Sequence, residues 1–224
     1  MRPGDFILNQ LQEAPAGART IALIRHAERD SFEGVPHNLR KGAEITPEGM
    51  VMARRFGASL GKSFPGKHLA LGHTFATRCR MTAESIRDGY SPGTRAHILG
   101  CEPELEHPVI NLENFIALEN RLGWNTLFCK WMEQEIPEDT LRNSHQYTAE
   151  ILRQLVAFPG ACGQDLLMVV VHDITLFPLI FSIFRKKVDA VEFLNGIVLT
   201  VEGNSVGIRF SNAEFSLKAE LAVE

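Results

Sequence analysis

The sequence predicts an α/β fold: a three-layer α/β/α sandwich with a mostly parallel central sheet and a small inserted cap. Three observations carry that expectation. Short apolar runs alternate with stretches of helical character along most of the chain. One run, residues 166–171, is apolar without interruption, the pattern of a parallel strand covered on both faces. Residues 91–145 interrupt the alternation with Gly93, Pro103, Pro108 and Pro137, and hold both tryptophans. The 224 residues suit one domain, 1–224, with 91–145 as the inserted cap region.

Taken in order, residues 1–18 read as a short arm or leading helix. Residues 20–24 (TIALI) form an apolar run bounded by turn residues, which predicts a buried first strand. Residues 30–46 are polar, carry Gly34, Pro36 and Gly42, and read as a loop. Thr46-Pro47-Glu48 predicts a helix start: the threonine caps, the proline fits the first turn, and the glutamate favours the positive end. That helix is expected to reach Leu60 and stop at Gly61. Residues 69–75 predict a second strand, and 79–88 a helix closed by Gly89. One or two short helices are expected in the cap, with Trp124 and Trp131 in its core. Ser144 is a candidate cap for a helix over 144–158, stopped by Pro159-Gly160. A helix over 174–184 follows the apolar strand. Residues 197–201 and 206–210, joined across Gly203-Asn204, read as a closing hairpin.

Composition narrows the partners. The formal charge is −4, with charged residues at 22%, so bulk charge suggests neither nucleic acid nor an anionic membrane surface. An anionic substrate therefore needs a local group of cations. The cysteines Cys79, Cys101, Cys129 and Cys162 form no C-x-x-C pair and read as free thiols of a reducing compartment. The first twenty residues hold no long apolar run, and the most apolar window is broken by His172, Asp173 and Pro178. A cytoplasmic protein is expected, with its oligomeric state left open.

Chemistry-bearing residues gather directly after the apolar runs. After the first come Arg25, His26 and Arg29; after the second, Arg78 and Arg80; after the last, His172 and Asp173. Open α/β sheets bind ligands outside the carboxyl ends of their strands. Guanidinium forks grip phosphate oxygens and keep their charge. Histidine serves as nucleophile or acid–base catalyst near neutral pH. A neighbouring carboxylate can protonate a leaving oxygen. These are the parts of a phosphoryl-transfer site built on positioning and charge, with no metal or other cofactor. His37, His68, His73, His97, His107 and His145 show no metal-ligand spacing, and Gly34, Gly42 and Gly49 form no P-loop.

Four short motifs then resemble one family. Arg25-His26-Ala27 after the first strand resembles the Arg-His-Gly signature of the histidine phosphatase superfamily. Residues 45–49 (ITPEG) resemble its Leu-Thr-x-x-Gly segment. Residues 74–83 (TFATRCRMTA) resemble its Ser-Pro-Leu-x-Arg-Ala-x-x-Thr-Ala. Residues 170–173 (VVHD) resemble the late strand that carries its second histidine. The resemblance spans about residues 20–180. It implies a phosphoglycerate mutase-like fold and a phosphomonoester hydrolase with a phosphohistidine intermediate. His26 is then the nucleophile, with Arg25, Arg78 and His172 on the phosphoryl oxygens.

Arg29 and the His172-Asp173 pair resemble the acid-phosphatase branch, which makes Arg29 a further phosphate ligand and Asp173 the proton donor. Ala27 in place of glycine, and Ser31 where that branch has proline, depart from the pattern. Glu102, Glu104 and Glu106 stand where a mutase-type donor would lie, so the donor is open between them and Asp173. The expected substrate is a phosphorylated small molecule or peptide. The rivals are mutase-like transfer to a second hydroxyl, a non-catalytic phosphate-binding module on the same fold, and a metal-dependent hydrolase. Arg80 reads as a solvated helix residue, and Cys79 as a buried, inert thiol.

Overall fold

A computed structural model describes the chain except residues 1, 16, 34, 91–94, 102–107, 158–165 and 223–224. Its seven strands are β1 (Arg19–Arg25), β2 (Leu69–His73), β3 (Ala96–Cys101), β4 (Leu166–Val171), β5 (Gly196–Glu202), β6 (Ser205–Ser211) and β7 (Ser216–Ala222). They form one sheet in the order β3-β2-β4-β1-β5-β6-β7. The first four in that order run parallel; β5, β6 and β7 continue it antiparallel. Among the described residues the α-helices are α1 (Asp5–Gln12), α2 (Pro47–Ser63), α3 (Thr77–Tyr90), α4 (Leu112–Leu122), α5 (Trp124–Met132), α6 (Ser144–Ala157) and α7 (Asp173–Phe184).

The sandwich follows from strand periodicity. Successive side chains of a strand point to opposite faces. Ile21 and Leu23 of β1 join Leu167, Val169 and Val171 of β4 in one core, under α5, α6 and α7. Ala22 and Ile24 join Leu166, Met168 and Val170 in the other, against α1, α2 and α3. Both strands are apolar at every core position because both faces are covered.

The helix start at Thr46 is as expected: its Oγ1 accepts from the Gly49 N–H at 2.9 Å, with Pro47 in the first turn. The cap of α6 lies one residue before Ser144. Asn143 Oδ1 accepts from the N–H groups of His145 and Gln146, while the Ser144 hydroxyl receives the Gln134 side chain. The stop at Pro159-Gly160 falls outside the described residues, as does Cys162. The hairpin turns on Gly203-Asn204, with Glu202 paired to Ser205 and Gly203 at φ +57°. That left-handed geometry is what a two-residue turn demands.

Two glycines read as helix ends are helix interior. Gly61 lies within α2, and Gly89 within α3. Each is there because the two helices touch backbone to backbone. A Cβ on Gly61 would stand 2.1 Å from the Tyr90 carbonyl oxygen, and one on Gly89 would stand 2.0 Å from that of Arg54.

Two strands were not anticipated. β3 lies inside the stretch expected as cap, and its Gly100 accompanies a register shift against β2. β7 is a polar edge strand whose sequence, SLKAELA, lacks β-branched residues.

The glycine contact supplies a test of sign. Helix propensity alone predicts that Gly61→Ala stabilises by about 1 kcal/mol. The backbone contact predicts the opposite, a loss of about 1–3 kcal/mol from overpacking. Urea denaturation of Gly61→Ala should show the loss.

Candidate active site

Parallel pairing brings the strand ends level. Arg25 is paired with Val171, and His73 with Val170, so His26, His172 and Thr74 emerge side by side. The His26 N–H donates to the Val171 carbonyl at 3.1 Å and prolongs the ladder. Above these ends opens a cleft of roughly 850 Å³. Arg25, His26, Arg29, Arg78, His172 and Asp173 all line it. The sequence-predicted set therefore meets in one place.

His26 is 2% exposed. Its Nδ1 lies 2.7 Å from the Ala27 carbonyl oxygen, which can only accept, so Nδ1 carries the hydrogen and Nε2 the lone pair. Burial holds its pKa well below the usual histidine value. The charge of Arg78 pushes the same way, followed by Arg25 and Arg29, while the Ala27 hydrogen bond opposes them. The result is a neutral imidazole beside several guanidinium groups.

His172 is buried and lies edge-on to His26, with ring centres 5.6 Å apart. Arg78 Nη2 donates to its Nδ1 at 3.2 Å, and its Nε2 donates to Thr74 Oγ1 at 3.0 Å.

Arg25, Arg29 and Arg78 are each anchored through one nitrogen to a main-chain carbonyl. Arg25 Nη1 reaches Val191 at 2.6 Å, Arg29 Nη1 reaches Asp30 at 2.5 Å, and Arg78 Nη1 reaches Arg40 at 2.7 Å. The Nε–H of all three is buried and meets no acceptor among the described residues. Arg29 further stacks on Phe32, its guanidinium carbon 3.4 Å from the ring centre. Burial lowers the Arg78 pKa. It brings Arg29 down to about 10, aided by the charge of Arg78. Protonated and anchored, this group presents fixed positive charge to a tetrahedral anion in the cleft.

Asp173 opens α7, where anions are favoured by the free N–H groups. Its Oδ1 accepts from the Ile174 N–H at 2.9 Å, and its Oδ2 lies 3.2 Å from Arg25 Nη2. Glu102, Glu104 and Glu106 lie outside the described residues.

The Arg78…Thr82 spacing has a physical reason. Thr82 Oγ1 donates to the Arg78 carbonyl at 2.7 Å and accepts from the Ala27 N–H at 3.0 Å. One hydroxyl so locks the turn under Arg78 to the loop of His26.

Arg80 pairs with Glu84 on the α3 surface. The Cys79 thiol is fully buried, and burial pushes its pKa up to about 12, which leaves it protonated and inert. Trp131 is core, as expected, but half-buried Trp124 lines the cleft. Among the described residues no three His, Cys, Asp or Glu side chains are placed to share a metal ion. No helix among them is long and apolar enough to cross a membrane.

Sequence reasoning missed several cleft residues. Thr74 orients His172. Arg40 supplies the carbonyl that anchors Arg78, and its side chain meets Glu119 of α4 at 3.0 Å. His37 Nε2 reaches the same carboxylate at 3.1 Å. No spacing marks these partners, because Glu119 lies 79 residues beyond Arg40.

No protein-family model and no curated protein matches the sequence. Solved structures match the fold. Bacillus stearothermophilus YhfR is 18% identical, with TM-score 0.55, covering 82% of this chain and 92% of its own. The phosphoglycerate mutase of Bacillus anthracis is 14% identical, with TM-score 0.56 and 86% and 91% covered. A mycobacterial glucosyl-3-phosphoglycerate phosphatase is 14% identical, with TM-score 0.52 and 85% and 91% covered. The fold is that of the histidine phosphatase superfamily. On this phosphoglycerate mutase-like frame, the cleft lies over the carboxyl ends of β1, β2 and β4.

The buried histidine makes two measurements diagnostic. Nitrogen-resolved NMR should find His26 neutral at pH 6, with the hydrogen on Nδ1, and Arg78→Met should raise its pKa. Linkage gives the second. Below about pH 6.5 the unfolded chain binds a proton that folded His26 refuses, so stability falls as pH drops toward the folded-state value. His26→Asn should flatten that part of the stability profile, read by denaturant titration across pH.

Proposed function

We propose that the protein is a phosphomonoester hydrolase that works through a phosphohistidine on His26. The observation that carries this reading is the neutral His26, with its Nε2 lone pair, in one cleft with Arg25, Arg29 and Arg78. A dianionic phosphoryl group in the cleft is drawn by the charge of those arginines. Anchoring on carbonyls means little reorganisation when charge shifts onto the equatorial oxygens.

In the first step Nε2 of His26 attacks phosphorus, and the bond from phosphorus to the ester oxygen breaks. Asp173, carrying the proton it took from water in the preceding turnover, delivers it to that oxygen, and the alcohol leaves. The incoming phosphoryl group competes for Arg25, drawing it from Asp173 Oδ2. His172 keeps Arg78 on its Nδ1 and turns its Nε2–H from Thr74 to a phosphoryl oxygen. In the second step Asp173 takes a proton from water, the water oxygen bonds to phosphorus, and the phosphorus–nitrogen bond breaks. Inorganic phosphate is released and His26 is regenerated neutral. Transfer to a second substrate hydroxyl would differ only in the acceptor, and measured release of inorganic phosphate decides between the two.

His26→Ala should abolish turnover and remove the acid-labile, base-stable label that substrate phosphate leaves on the wild type. A label persisting in His26→Ala would place the covalent step elsewhere.

Asp173→Asn tests the donor. General acid assistance is worth about 10²–10⁴-fold. The loss should be of that size on alkyl phosphates, and smaller for the phosphorylation step on aryl phosphates, whose leaving oxygens need little protonation. Glu104→Gln and Glu106→Gln should show no such dependence. The reverse pattern would move the donor to the glutamates.

A further inference from the structure

We infer that the substrate's leaving group is apolar and ring-sized, and that it seats on Phe177 and Trp124. This rests on the phosphatase reading above and names its substrate class.

The direction of departure comes from α7. Asp173 and Phe177 are four residues apart on that helix, so they share a face one turn apart. An ester oxygen protonated by Asp173 therefore carries its carbon skeleton toward Phe177, which lines the cleft. Behind Phe177 the rings continue: Phe128 at 5.5 Å between centres, then Trp124 a further 4.5 Å on, then Phe115 at 6.4 Å. Phe75 and Leu112 face the same cleft while 47% and 48% exposed, and add open apolar surface to its wall.

The charged groups beside this wall are paired with one another. Glu119 gives one carboxylate oxygen to Arg40 and the other to His37. Ser31, Glu33, Lys41 and Asp189 lie at the exposed rim. A polyhydroxylated skeleton laid against the rings would lose water and gain few partners for its hydroxyls. A bare ring of the same size would lose nothing and cover the apolar wall.

The decisive comparison uses two primary alkyl phosphates on six-membered rings, cyclohexylmethyl phosphate and glucose 6-phosphate. They present similar leaving oxygens, so they differ chiefly in hydroxyls. The wild type should favour cyclohexylmethyl phosphate at least about tenfold in kcat/KM, carried by KM. Phe177→Ala should reduce that preference without changing inhibition by inorganic phosphate. Because Phe177 is largely buried, Leu112→Ser and Phe75→Ser, at half-exposed positions, repeat the test with little risk to folding. Equal or better use of glucose 6-phosphate overturns the inference and leaves the phosphatase reading standing. If neither compound is turned over and no phosphohistidine forms, the phosphatase reading fails. Calorimetric binding of the two compounds then decides: tighter binding of cyclohexylmethyl phosphate supports the apolar seat, and equal or absent binding refutes it.

Discussion

The pairing of β1 with β4 is the constraint on which the site depends. Its register sets Arg25 opposite Val171 and so brings His26 beside His172. The same register sorts each strand's residues between two cores, so a slip of one residue would turn Ile21 and Leu23 toward the wrong layer. The hydrophobic cost of that slip, at about 1.5–3 kcal/mol for each large side chain misplaced, protects the alignment of the two histidines. The geometry of the candidate site is a by-product of core packing.

Electrostatics then decides what the aligned residues can do. Arg25, Arg29 and Arg78 repel one another and repel a proton on His26. They are tolerated because each gives an N–H to a backbone carbonyl and because Asp173 balances Arg25. The same arrangement that is unfavourable when empty of anion charge is complementary to a phosphoryl dianion. A buried histidine kept neutral by its neighbours is a nucleophile at the pH where a free one is partly protonated.

Helix α4 is tied to this centre by a relay of contacts. Glu119 of α4 holds Arg40 and His37, and the Arg40 carbonyl holds Arg78. One wall of the cleft is thereby linked to its arginines. The apolar wall and the cationic floor share a single cleft because of that link and because α7 contributes both Asp173 and Phe177.

The sequence by itself determined the strands whose faces are both buried and the residues that follow them. An apolar run such as Leu166–Val171 is legible because burial on two faces leaves no polar residue to obscure it. His26, Arg78, His172 and Asp173 were legible because strand ends project residues to a common edge. Local capping chemistry made the start of α2 readable as well. Tertiary structure alone decided the rest. Gly61 and Gly89 look like helix stops, but whether a missing Cβ serves a turn or a helix contact depends on what lies across from it. β7 has no intrinsic strand signal and exists because β6 offers it an edge. Glu119, Arg40 and Thr74 entered the cleft through contacts between segments far apart in the chain, and such contacts leave no periodicity to read. The tautomer of His26 and the depression of its pKa belong to the same class, since both depend on burial and on neighbours that only the folded chain assembles.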